Sequence, residues 1–356
     1  MNEQHVTWPI EAQRLSQLRR ESLLLEATAL SQGMDTMRIA ARGFTAGRAP
    51  SCVDFAFQGT ISQETSRAAV RAADDRLTAK AVLTAAGLRV PQSRRFGYKN
   101  IDEAVEYAQK FRRGAIIKPR MVDAGGFLDA PLTSPGDIHG AIQSWRQTTG
   151  ARATYLVERR MFSREYAFII VNGEVVSVGY RRSRRWVREV GAVHADVLAL
   201  AIQAFNAFPA LPHAEVRLFC PDPFGGAERC TVASVKPEIR LMSANKSKAW
   251  SVRIAEQLVK HAVWNVSSEQ VAHSTHITAA FTMNELSEPQ SMSDGISRWM
   301  DQVGVVGSAF PGDRLVTGTI TGTPGQLAAL SGIAKAAKLS SESPQSITFD
   351  QQRVTA

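Results

Sequence analysis

Two residues about forty positions apart set the chemistry open to this chain. Lys118 closes the apolar run Ala115-Ile116-Ile117-Lys118-Pro119, and Glu158 closes a second run, Thr154-Tyr155-Leu156-Val157-Glu158. Taken alone, a charged residue ending an apolar strand is more often a solvated terminus than a ligand. Here the lysine precedes Asp123-Ala124-Gly125-Gly126, whose glycine amides can approach phosphate oxygens closely. The glutamate leads straight into a hairpin pattern from Glu165 to Arg182. A nucleotide held between two small sheets needs this order: an ammonium for its phosphates and a strand-end backbone edge for its base.

The elements that must position these groups are legible in the surrounding pattern. Ala79, Val82, Leu83 and Ala86 recur at helical spacing over 75–92, and Pro91 prevents continuation. Asn100 and Glu103 form a capping-box pattern before a second helix, and Ser134-Pro135 opens a third. Asn172-Gly173 between two apolar runs predicts a type I′ turn. A helix is expected near 193–207, strands over Ala214–Cys220 and Cys230–Arg240, and a helix at about 246–263. Beyond 270, strands over His276–Met283, Leu315–Thr323 and Ser346–Phe349 alternate with helices over Met292–Val303 and Gly325–Lys338. Residues 1–74 read as a polar, helix-prone stretch packed by Leu23, Leu24, Leu25, Ala27 and Ala29, with the short apolar run Val53–Phe57 near its end.

Composition narrows the classes. The chain has 356 residues, 44% of them hydrophobic and 21% charged, as in an ordinary soluble protein of two or three domains. No apolar run is long enough to cross a bilayer, and no signal pattern opens the sequence, so a cytoplasmic location is expected. Cys52, Cys220 and Cys230 lack metal spacing and read as reduced thiols. The net charge of +9 is concentrated in Arg181, Arg182, Arg184, Arg185 and Arg188. Only Tyr180 and Trp186 stand among these arginines, too few aromatics for a stacking surface, so nucleic acid is not the expected partner. The seven histidines show no ligand spacing, and no G-x-S-x-G pattern supports a hydrolase.

Several motifs in order resemble the ATP-grasp superfamily, and most closely the ATP-binding parts of bifunctional glutathione synthetase and cyanophycin synthetase. D-alanine–D-alanine ligase is a more distant likeness. Asp75-Arg76-Leu77-Thr78-Ala79-Lys80 with Ala86-Gly87-Leu88-Arg89-Val90-Pro91 is similar to the family's opening motif. Ile117-Lys118-Pro119 is similar to its "vKP", Leu156-Val157-Glu158 to its hinge, and Ser163-Arg164-Glu165-Tyr166 through Val171–Val176 to Arg181 to its hairpin. The resemblance runs from roughly residue 50 to residue 262. It implies an α/β (α+β) fold in which two small sheets clasp a nucleotide. A preceding region at 1–74, an ATP-grasp domain at 75–265 with its cap at about 112–180, and a small C-terminal α/β domain at 270–350 would follow.

The same resemblance implies a function. The chain would be an ATP-dependent carboxylate–amine ligase working through an acyl-phosphate, with ATP, a small carboxylate and an amine as partners. Arg76, Lys118, Gly125 and Gly126 would meet phosphates. Glu158, Arg159, Arg160 and Met161 would hold adenine through their backbone, and Glu165 would line the site. Arg181 and Arg182 would face the acyl-phosphate. Homo-oligomerisation and covering of the active site are equal expectations for the C-terminal segment.

Departures from the pattern bear on magnesium. Arg76 stands where the family has lysine, keeping the charge but changing its shape. Glu238 remains as a metal ligand, but Arg217 and Arg240 stand where a carboxylate and an amide are expected. Glu215, two residues from Arg217 on the same strand face, is the one substitute ligand nearby. Three readings stay open: Glu215 and Glu238 hold one Mg2+; the arginines replace its charge; or these four residues are ion pairs in an inactive nucleotide- or partner-binding relative.

Overall fold

The computed structural model describes residues 10–48, 53–122, 128–149, 154–182, 185–188, 192–241, 248–264 and 276–351. The chain forms two compact units: one from residues 1–63 together with 238–356, the other from Glu64–Pro237. Along the chain the second unit is therefore an insertion within the first. The expected divisions near 75 and 265 are not the limits of these units.

In the first unit the two ends of the chain share one eight-stranded antiparallel sheet. Its order is Val306–Pro311, Leu315–Gly322, Ile277–Asn284, Ser346–Gln351, Asp35–Ala40, Gly43–Gly47, Phe55–Gln58, Ile61–Ser62. The join is the pairing of Thr36 with Phe349 and Arg38 with Ile347. The segment beyond 270 is thus no separate appendage: it completes a sheet begun by residues before 64. Leu23, Ala27 and Leu30 of the helix Gln17–Ser31 are buried with Phe281, Phe349, Leu327 and Leu330. Within this core Arg38 is fully buried against Glu26, which shares the Nε–H with Ser331, while Nη1 donates to Ser22. Such a buried pair is tolerated only with its remaining polar atoms satisfied.

The second unit holds two antiparallel sheets, each with one apolar and one charged face. The four-stranded sheet runs Ser93–Phe96, Tyr155–Arg159, Ala115–Pro119, Leu128–Leu132. Alternation sends Ala115, Ile117, Tyr155 and Val157 into a core with Ile138, Ile142 and Trp145 of the helix Pro135–Thr149. It leaves Ile116, Lys118, Leu156 and Glu158 together on the other face.

The five-stranded sheet runs Arg185–Arg188, Glu174–Arg182, Arg164–Val171, His213–Cys220, Thr231–Lys236. Tyr166, Phe168, Ile170, Val216, Leu218 and Val235 pack beneath the helix Ala195–Asn206. Glu165, Glu215, Arg217 and Lys236 take the opposite face, with Glu215 and Lys236 directly paired across strands. The predicted turn is present: Asn172 and Gly173 have φ of 50° and 76°, the left-handed values a type I′ turn needs.

Candidate nucleotide-binding site

The site grows from one short segment. Asp75 caps the helix Arg76–Ala85, its Oδ1 accepting from the N–H groups of Leu77 (3.0 Å) and Thr78 (3.4 Å). Its other oxygen accepts from Arg120 Nε (2.8 Å) and Nη2 (2.5 Å). Burial works against the Asp75 carboxylate, but Arg120 and the two helix N–H groups outweigh it and hold its pKa below the usual range. Arg76 donates its backbone N–H to Arg120 (3.0 Å) and its Nε to the Pro119 carbonyl (3.0 Å). The helix start is thereby stitched to the end of the lysine strand. Arg76 and Lys80, one turn apart, share a helix face.

Lys118 and Lys80 converge on a single carboxylate. Glu158, with a side chain 2% exposed, accepts from Lys118 Nζ at 2.5 Å and from Lys80 Nζ at 2.9 Å. Burial alone would raise the Glu158 pKa, but the two ammoniums reverse the sign and hold it below the ordinary value. Burial pushes Lys80 down despite Glu158, and pushes Arg76 down with only partial compensation from the same glutamate.

The charged face of the five-stranded sheet continues this line. Arg217 donates Nε (2.6 Å) and Nη2 (2.5 Å) to Glu215 Oε1, and its Nη1 lies 3.5 Å from Glu165. Burial disfavours the guanidinium charge, yet the two glutamates raise its pKa above normal. Lys236 is pushed down to about 8, first by burial and then by Arg217, with Glu215 and Glu165 opposing. Arg76 lies within electrostatic reach of both Glu158 and Arg217, and so links the charged faces of the two sheets.

The hinge after Glu158 is partly committed to the sheet. Arg159 donates its N–H to the Gln92 carbonyl (2.9 Å), and Arg160 donates to Gly114 (3.2 Å). The Met161 N–H is the first beyond the strand that no described residue accepts. Arg160 also covers the ring of Phe162, which is half exposed. The Arg159 and Arg160 amides are thus committed within the protein, and the Met161 amide has no described acceptor.

The carboxylates expected to hold magnesium do not fit that ion as they stand. Glu215 is held by two Arg217 nitrogens. Glu238 belongs to the other unit, where Arg42 pairs with one oxygen and Arg240 Nη2 lies 3.7 Å from the other. Among the described residues no three His, Cys, Asp or Glu side chains gather as a donor set. A small dication requires several unencumbered oxygens in octahedral array, which guanidinium pairing denies it.

Of the residues singled out in the sequence, Arg76, Lys118 and Glu158 come together in one cluster, as do Glu165 and Glu215 with Arg217. Arg181 and Arg182 end the strand Glu174–Arg182. Their side chains, and Gly125 and Gly126, lie outside the described residues. Lys80, Lys236 and the Asp75–Arg120 pair were missed. Lys80 stands within the quoted opening motif, four positions after Arg76. Lys236 directly precedes Pro237-Glu238, where attention to Glu238 as a ligand hid it.

No protein-family model matches the chain. Among curated proteins, cyanophycin synthetase of Trichormus variabilis is 27% identical over 125 residues, 35% of this chain and 13% of that protein. The chain thus matches only about an eighth of that relative's length. Among solved structures, the bifunctional glutathione synthetase of Pasteurella multocida has a TM-score of 0.44 at 15% identity, covering 67% of this chain and 43% of the other. An ATP-grasp RimK domain protein of Sphaerobacter thermophilus has a TM-score of 0.43 at 19% identity, covering 55% and 69%.

Proposed function

We propose that the second unit binds ATP and that the chain works as an ATP-dependent carboxylate–amine ligase. The observation that carries the reading is the convergence of Lys118 and Lys80 on Glu158, beside Arg76 and at the root of a hinge with an available amide. Two ammoniums and a guanidinium over one sheet face suit phosphates, while the Met161 N–H and neighbouring carbonyls suit the donor–acceptor edge of adenine. The order of motifs and the similarity to cyanophycin synthetase support the same reading.

In the proposed reaction a carboxylate oxygen of the substrate attacks the γ-phosphorus of ATP, ADP leaves, and an acyl-phosphate forms. An amine then attacks the acyl carbon, inorganic phosphate leaves, and the amine gives up a proton as the amide forms. The chain's part is to fix the phosphates and neutralise charge, the main protein contribution to phosphoryl transfer. Lys118, Lys80 and Arg76 do this on the phosphate side. Arg181 and Arg182 are proposed for the acyl-phosphate.

The pairs Arg217–Glu215 and Arg42–Glu238 favour a second reading, in which nucleotide or a partner protein binds without turnover. Titration calorimetry of ATP against the wild type and Lys118→Ala tests the first claim. The variant is expected to bind ATP at least about tenfold more weakly, a loss of about 1.4 kcal/mol. Unchanged affinity in a folded variant removes Lys118 from the site. ADP release with a panel of amino acids and short peptides then separates ligase from binder.

A further inference from the structure

We infer that the cationic cluster of the second unit takes the phosphates of ATP without a divalent metal, its own arginines and lysines supplying the charge. This rests on the ATP-binding reading above and departs from it on one point, the metal.

Arg76, Lys80, Lys118, Arg217 and Lys236 lie within electrostatic reach of one another through a continuous chain of neighbours. Facing them are Glu158, Glu165 and Glu215, with Asp74 the weakest of the neighbours felt by Arg76. Among the described residues the cluster keeps a cationic surplus even with every one of these carboxylates ionised. A site built to hold a dication carries the opposite imbalance, because the metal's charge must be met by protein oxygens.

Of the two carboxylates on the charged sheet face, Glu215 is clamped by the Arg217 guanidinium at 2.5 and 2.6 Å on one oxygen, and Glu165 lies 3.5 Å from the same guanidinium. Burial makes each member of that pair costly to leave alone, so a metal would have to displace Arg217 before it could coordinate. Lys236 stands directly across the strand from Glu215, a second cation beside the same carboxylate. A polyanion, by contrast, needs no such displacement. Arg76 is half buried and feels only partial compensation for its charge, so a phosphate relieves its desolvation instead of adding to it.

The experiment is a titration of ATP into the full chain in excess EDTA and, separately, in excess magnesium chloride. Equal affinities within about threefold support the inference. Binding that is at least about tenfold tighter with magnesium overturns it and leaves the ATP-binding reading standing. Absence of binding in both buffers overturns the ATP-binding reading itself. Arg217→Asp gives a converse check: by removing a cation and restoring a carboxylate it should weaken binding in EDTA and restore part of it with magnesium. Should that variant fail to fold, Arg76→Gln serves, with at least a fivefold loss expected in EDTA, about 1 kcal/mol. Unchanged EDTA affinity in folded Arg76→Gln counts against the inference.

Discussion

Lys236 shows how burial and charge set the behaviour of a single group. Removed from water and set beside Arg217, its ammonium is less favourable than in an unfolded chain, and its pKa falls from 10.5 to about 8. Between these two values the unfolded chain binds the proton more tightly than the folded one. Stability therefore rises with pH across that window and gains nothing more from this lysine above it. Lys236→Met removes the titrating group, so urea unfolding at pH 7.5 and pH 9.5 should show the wild type gaining on the variant by on the order of 1–3 kcal/mol. Parallel pH dependence of the two proteins would mean that Lys236 titrates normally. Glu158 is also shifted down and so has the same sign with pH, for the opposite reason: its charged form is favoured by the fold, and its contribution is present above 4.5 and is lost as pH falls.

At the scale of elements, the helix Arg76–Ala85 is the part on which the site's geometry depends most. Its cap, Asp75, joins the helix start to Arg120 and so sets where Arg76 and Lys80 point. Asp75→Ala should cost about 1–2 kcal/mol in urea unfolding, mostly as a lost cap. Asp75→Asn keeps a capping oxygen and loses only a partly exposed ion pair, which is worth less. Equal losses in the two variants would put the ion pair ahead of the cap.

Sequence pattern exposed some of these elements and concealed others. The Asn172-Gly173 hairpin was legible because its turn chemistry is local. The strands ending in Lys118 and Glu158 were legible because their apolar runs are unbroken. The strand Asp35–Ala40 was not, since fully buried Arg38 interrupts its alternation, and its charge is met by Glu26 with Ser22 and Ser331, which no local pattern ties to it. The same limit hid the Arg217–Glu165 contact: spacing placed Glu215 on the face of Arg217, but Glu165 reaches it only through cross-strand register. In the site, then, the residues belonging to one motif were readable and the partners supplied by register were not.

For the whole molecule, the shared eight-stranded sheet means that neither end of the chain completes a core alone. A chain ending at Pro237 retains every strand of the two smaller sheets but lacks Ser346–Gln351, the neighbour of Asp35–Ala40. Limited proteolysis of that truncation should strip residues 1–63 and leave 64–237 resistant; protection of 1–63 would argue that the first strands stand without their partner. The arrangement also imposes an order on biosynthesis. Leu23, Ala27 and Leu30 leave the ribosome long before Phe349, which is buried in the same core. The inserted unit has all its strand partners in one contiguous stretch and is free to fold while translation continues. The earlier segment must wait with its apolar side chains unburied until Ser346–Gln351 arrives.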